Sequence, residues 1–527
     1  MSVALLLSCV TSFALSQEPL TPRRASRFLA QATLGADWEE IQRTAQLGLE
    51  GWLEEQFQRP AGYHEPLLQA LENGGVVLDS STRRAVWWQQ VMESPDLLRQ
   101  RVALALSEIY VVSDNVTAVD DNVLGTANYY DMLLRHSFGN FRDLLRDVTL
   151  HPIMGAYLSH LRNERSDPSR GRFPDENYAR EIMQLFSIGL FELNIDGTLQ
   201  LDGSGNAIPT YDNDDITEFA KIFTGLSFDS AFPDFRNGLP VWNRPMEMYQ
   251  PYHEPGEKLL LRGHYVPPSQ TGLADIDSAI DNLFNHPNVG PFLARRLIQR
   301  MVTSNPSPAY IRRVAETFNN NGNNVRGDMK AVVRAVLLDP EARTWPTAAF
   351  SVEGRLRESF LRRVHLARSF NAANLTNDYP IDDGNAPVNF GQRPMSSPTV
   401  FNFFLPDHQP QGEIGDRGLY APEFQIITAV TAIASADDLE SQITGGMNSA
   451  PMNPLAVVRL DLSDEVALAP NVTALIDRLD LLLTYGNMSG EMRQILVENV
   501  SRLSDPVERA QMALYLISIS PEYAVIQ

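Results

Sequence analysis

Apolar residues spaced three and four apart recur from one end of this chain to the other. "DWEEIQRTAQLGLEGWLEEQF", "LLRQRVALALSEIYVV", "TANYYDMLLRHSFGNFRDLLRDVTL", "GPFLARRLIQRMV" and "DMKAVVRAVLLDPEA" all show the spacing. It gathers the apolar side chains on one face of an α-helix, and that face must be buried against another element. The break at "SFGN" puts a cap at Gly139 and a fresh helix start at Asn140. Strand-like alternation is prominent in "GTLQLDGSGNAIPTY", which reads as a β-hairpin around a Gly-rich turn. The chain is therefore expected to be mainly α.

A length of 527 residues would by itself allow about three domains. No Gly/Ser, Pro or like-charge linker divides the chain, and no repeat of roughly 20–50 residues is present. The expectation is one large helical domain over 24–527, with a β-hairpin and long loop insertion at about 194–270. Within that insertion, residues 228–270 are rich in aromatics and Pro, and "EKLLL" reads as a short strand. A further loop is expected from about 371 to 415.

Acidic residues number 65 against 43 basic, a net charge of −22, which argues against a nucleic-acid partner because such binding needs a basic footprint. Cys9 is the only cysteine, so an intrachain disulfide, a thiolate metal cage and a Cys nucleophile in the body are all excluded. "MSVALLLSCVTSFALSQEP" reads as an export signal over residues 1–16, an apolar run meeting the small-residue pattern Ala14-Leu15-Ser16. "LLSC" ending at Cys9 is a second possibility, a lipoprotein-processing site. No later segment reaches the roughly 18 consecutive apolar residues of a spanning helix. The expected location is periplasmic or extracellular.

Four stretches offer chemistry. In "FPDENYAREIMQLFSIGL", Asn177, Arg180, Glu181, Gln184 and Ser187 share one arc of a helix, with Asp175 and Gly189 as caps. That arc is either an ordinary solvent face or a site in which Glu181 is acid, base or ligand and Arg180 holds an anion. "QPYHEPGEKLLLRGHY" supplies His253, Glu254 and His264, suited to proton transfer or to a metal, though at no recognised zinc spacing. "YDNDDITE" gathers Asp212, Asp214 and Asp215, oxygen ligands of the kind calcium uses, or simply a helix cap. "GQRPMSSPTVFNFFLPDHQPQG" packs Arg393, Ser396, Ser397, Asn402, three Phe and four Pro into a segment that suits a rigid binding wall. Neither serine sits in a G-x-S-x-G elbow, and no phosphate loop or dinucleotide fingerprint occurs.

Six ordered segments, "FGNFRDLLRDVTLHPIMGAYL", "ENYAREIMQLFSIGL", "IPTYDNDDITEFAKIFTGL", "HEPGEKLLL", "HPNVGPFLARRLIQRMVTSNPSPAY" and "RPMSSPTVFNFFLPDHQPQG", resemble one bacterial family, catalogued as "domain of unknown function 1800". The resemblance implies a large exported protein, often encoded beside a second exported family that resembles sulfatases, and hence polysaccharide-rich surroundings. It names no reaction. Family members commonly carry an acidic residue where this chain has Gln184, and often His where it has Phe186. That departure leaves Asn177, Arg180 and Glu181 as the better candidates on the helix.

These readings combine into an expected exported enzyme, a hydrolase or lyase acting on an extracellular glycan or other anionic polymer. Glu181 and His253 would be its catalytic acid/base pair; Asn177, Arg180, Arg393 and Asn402 would bind substrate. Asp212, Asp214 and Asp215 are the calcium candidates. Two rivals stay open: a non-catalytic cell-surface or assembly protein, for which the resemblance implies the sulfatase-like protein as a partner, and a metal-dependent or redox enzyme.

Overall fold

The computed structural model describes residues 20–345, 354–381, 383–448 and 453–526. The expected export signal, residues 1–16, lies outside them. Helices begin where a polar residue precedes an apolar run. Thr21, Asp37, Asp79, Asn140 and Ser307 each accept a hydrogen bond from a backbone N–H of the first turn that follows. Twenty-five α-helices are present among the described residues, so the fold is mainly α, as the periodicity demands.

One hydrophobic cluster runs through the whole body, from Ala25 and Phe28 near its start to Tyr523 near its end. Trp52, Trp88, Tyr110 and Tyr129 are among its largest fully buried members. Extended structure is sparse: Leu226–Ser227 pairs with Glu247–Met248, and Lys258–Leu260 with His264–Val266. Arg355–Leu356 pairs with Val525–Ile526, which ties the chain's end back to its body. No helix among the described residues is long and apolar enough to cross a membrane.

The alternating segment 197–211 becomes a small meander rather than a two-stranded hairpin. Leu201 bridges to Ala207 and Leu193 to Leu199, and Phe191 also bridges to Pro209. The backbone just before the segment thus joins as a third run, since its free N–H and C=O groups need partners: Glu192 N–H donates to Ile208 O at 2.8 Å and Gln200 N–H to Glu192 O at 2.8 Å. Leu199 and Leu201 remain exposed, so backbone hydrogen bonding holds the meander more than core burial does.

Candidate functional site

The helix Asn177–Gln184 is approached through a loop pinned to Asn163, whose Oδ1 accepts from Asp175 N–H at 2.9 Å. Asp175 in turn accepts from Asn177 N–H at 2.8 Å, a turn just ahead of the helix, whose N-cap is Glu176 and not the expected Asp175. The helix ends with Leu185 as its C-cap, before the expected Gly189, and the chain turns away at Gly189, where φ is +75° and both Ile188 N–H and Gly189 N–H reach Met183 O at 3.0 Å. Glycine suits that left-handed turn because it has no Cβ to clash. Tyr178 fixes the rotation of the helix: its hydroxyl meets Thr149 Oγ1 at 2.7 Å, and its ring stacks on His160 at 3.9 Å.

Held in this way, the polar arc does not face open solvent. Asn177 is exposed and Arg180 half-exposed, but Glu181 is only 6 % exposed and Ser187 is fully buried. The two readings of this helix therefore divide along its length, with solvation at its start and enclosure from Glu181 onward. Glu181 Oε2 is buried without a hydrogen-bond partner. Burial pushes the Glu181 carboxyl above the usual range, and Arg180 opposes the shift only in part.

Two tyrosines feel the charge of Glu181. Tyr157, the last residue of the helix Pro152–Tyr157, lies beside the Ser397 side chain and within electrostatic reach of Glu181. Burial raises the Tyr157 phenol, Ser397 lowers it and the Glu181 charge raises it further. Tyr211 donates to Gln184 Oε1 at 3.1 Å. Burial raises Tyr211 as well, while Arg180 lowers it and Glu181 raises it.

Ser397 belongs to the Pro-rich loop, and that loop is clamped from one side by Ser113, Asp114 and Asn115. Ser113 Oγ donates to Ser397 O at 2.7 Å, and Asn115 Nδ2 donates to Ser397 O at 3.0 Å. Asp114 N–H donates to Met395 O at 2.8 Å, and its carboxylate pairs with Arg83 at 2.6 Å. Met395 and Asn402 hold φ of +61° and +69° on this loop; Ser159 and Arg162, just past Tyr157, hold +68° and +62°. Left-handed non-Gly residues store strain, and strain tends to collect at functional sites.

Tyr157 feels both the Ser397 side chain and the Glu181 charge, whereas His253 is engaged by other partners. His253 is fully buried, with Nδ1 2.9 Å from Thr224 O and Nε2 3.0 Å from Asp275 Oδ2. Lys258 also bonds Asp275, so the imidazole belongs to a sealed ion cluster, and no hydrogen bond joins it to Glu181. His264 bonds Ser278 Oγ at 2.8 Å. Arg393 is ion-paired with Asp114 at 3.4 Å and donates to Ser396 Oγ at 2.8 Å, which leaves Arg180 as the more open cation. Asn402 turns inward, 5 % exposed, beside Ser397.

The acidic cluster serves the backbone. Asp212 accepts from Asp214 N–H at 2.9 Å and Asp215 N–H at 3.1 Å, and Asp215 accepts from Asp212 N–H at 3.0 Å. This reciprocal cap starts the helix Asn213–Ile222. Among the described residues, no group of three or more His, Cys, Asp or Glu side chains is arranged to hold a metal ion.

A larger hollow, of about 730 Å³, lies between Arg363, Asp383, Asn389 and Asp438. Size favours it, but its central charges are paired: Arg363 pairs with Asp383 and, at 3.4 Å, with Asp438. Glu181, buried and lacking such a partner, is the stronger chemical candidate. Tyr157, Tyr211 and the Ser113–Asn115 clamp escaped the sequence reading. The two tyrosines sit at the ends of "HPIMGAY" and "NAIPTY", where a polar tip closing an apolar segment was the available signal.

On structural grounds the protein is mainly helical, with a buried carboxyl at Glu181. Residues 27–525 match the family described as "Protein of unknown function (DUF1800)", and the chain belongs to that family. No curated protein and no solved structure matches it.

Proposed function

We propose that this protein is an exported enzyme that cleaves an extracellular glycan or other anionic polymer by acid/base chemistry, through hydrolysis or elimination. One observation carries the reading: Glu181 is a buried carboxyl with an unpartnered oxygen and a pKa held up by burial. Such a group weakens the fold, and a purely structural position is better served by an apolar side chain of similar volume. A carboxyl whose pKa is raised by burial holds its proton more tightly than a free one and is suited to protonating a leaving oxygen. Tyr157 takes the partner role that the sequence reading gave to His253, exchanging a proton with Glu181 or with the substrate. Arg180 holds the substrate anion, while Asn177, Gln184 and Tyr211 supply hydrogen bonds at the rim.

The rival reading, a non-catalytic surface or assembly protein, is favoured by exposed apolar side chains. Val430 and Ile433, three positions apart on the helix Ala429–Thr444, are 63 % and 67 % exposed. The test is to incubate purified protein with a panel of neutral and anionic polysaccharides, reading new reducing ends and the ultraviolet absorbance of unsaturated products. Cleavage that vanishes in E181Q and Y157F while both variants stay folded supports the enzyme. Cleavage at the wild-type rate in both variants removes this site from the chemistry.

A further inference from the structure

Residues 162–173 carry four arginines against two acids, in a chain whose net charge is −22. Backbone pairing folds the stretch into a small hairpin: Asp167 N–H donates to Arg172 O at 2.9 Å, and Arg172 N–H to Asp167 O at 3.1 Å. Gly171, with φ at +66°, makes the turn. The hairpin is tied down on several sides. Arg165 N–H donates to Tyr252 O at 2.9 Å and Ser166 N–H to Glu254 Oε2 at 3.1 Å, while Asn163 Oδ1 accepts from Asp175 N–H. The last of these bonds joins the hairpin to the approach of the helix that bears Arg180 and Glu181.

The charges are layered. The Glu164 side chain is only 14 % exposed and pairs with both Arg172 and Arg236, the latter at 2.7 Å. One carboxylate thus serves two guanidiniums, and a positive charge is left over. Arg170, at the turn, is 75 % exposed and stands 3.5 Å from the half-buried Asp167. Arg165 is exposed, and among the described residues no carboxylate pairs with it. Phe173, next to Arg172 in the chain, is exposed as well. Arginines and an aromatic ring therefore lie outermost, with Glu164 and Asp167 more enclosed. Glu176, 3.7 Å from Arg180, marks the acidic border of this face.

We infer that this hairpin is a docking face for an anionic polysaccharide, ahead of the helix that carries Arg180. A guanidinium can hold a carboxylate or sulfate through two N–H groups at once, and an exposed ring offers apolar surface to the face of a sugar. Because the hairpin is already bonded to its surroundings, binding adds little cost of ordering. Duplex nucleic acid carries about one charge per 1.7 Å and would be repelled by the acidic body. A polysaccharide with about one acid group per ring or two matches so sparse a set of cations. Delivery of the polymer to Glu181 rests on the acid/base role proposed above; the binding itself does not.

The experiment measures binding of the full protein to immobilised alginate and dextran sulfate, between about 50 mM and about 200 mM salt. Neutral dextran, a DNA duplex and anionic phospholipid vesicles are the comparators. The two charged polysaccharides should bind, more weakly as salt rises, and neutral dextran should not. R165E/R170E should lower the affinity about ten-fold, since each exposed ion pair contributes little. R417E/R502E makes the same change of charge at exposed arginines outside the hairpin and should leave the affinity within about two-fold. No binding to either polyanion, equal binding of neutral dextran, or an equal loss in the two double variants overturns the inference. Tighter binding of the duplex or the vesicles overturns the class of partner. Hairpin-dependent binding without any cleavage would reject the proposed enzyme and leave this face standing; cleavage with binding unchanged in R165E/R170E would do the reverse.

Discussion

Replacing Glu181 with glutamine keeps shape and volume and removes the charge, so it isolates what burial of that carboxyl does to the fold. Its pKa is raised in the folded state, chiefly by burial. A raised carboxyl contributes its stability in full below the unfolded value, and that contribution is lost as pH rises through the folded value. Above that point wild type carries a charge that the folded site holds less well than water does. A buried polar group without a partner costs about 1–3 kcal/mol, and each unit of pKa corresponds to about 1.4 kcal/mol. The amide of E181Q still leaves one atom dry, so part of the cost remains, and the expected gain at neutral pH is about 1–2 kcal/mol. Unfolding entropy grows with length, so in a chain this long 1 kcal/mol moves Tm by only about 1 °C. Urea denaturation of both proteins from about pH 5 to about pH 8 is the better assay. The advantage of E181Q should be near zero at the acid end and grow with pH. An E181Q that is less stable at every pH, or a difference independent of pH, would mean that the carboxyl is held by the fold as a structural anchor. A more stable, inactive E181Q is the pattern expected where function is maintained at the expense of stability.

The remaining expectations concern groups that the sequence alone made ambiguous. D275N leaves Lys258 buried opposite a neutral amide, and should destabilise by about 3–5 kcal/mol in urea. Burial raises Asp275, but His253 and Lys258 outweigh it and its pKa is lowered, so the stability it contributes is present above the unfolded value and lost as pH falls through the folded one. The D275N deficit should therefore shrink toward acid pH. D212A removes the reciprocal cap and should lower stability by about 1 kcal/mol, while added calcium should leave the wild-type midpoint unchanged. R355M strands Glu358 and Glu423, which Arg355 bonds in the interior, and should cost about 3–5 kcal/mol. A loss below about 1 kcal/mol in either buried-ion variant would indicate that water reaches these clusters.

Local pattern alone carried the helices. Apolar spacing and the cap at Asn140 are short-range properties, decided within a turn or two of chain, and they reappear in the structure, whereas the helix expected to be capped by Asp175 and Gly189 is capped by Glu176 and Leu185. Asp212 and Asp215 show where sequence reaches its limit: the same carboxylates suit a cap or an ion, and only the backbone N–H groups they meet decide between the two. His253 shows the limit again, because an imidazole beside Glu254 gives no sign of Asp275 and Lys258 arriving from other elements.

The amino-acid order by itself determined that this chain is helical, acidic and built around one large apolar core, because period, charge and volume are summed along the chain. Whether Glu181 faces water or protein was decided only by tertiary packing, which buries it and brings the phenols of Tyr157 and Tyr211 within reach of its charge. Those residues come from distant stretches, and a carboxyl's environment is set by whatever side chains surround it in space.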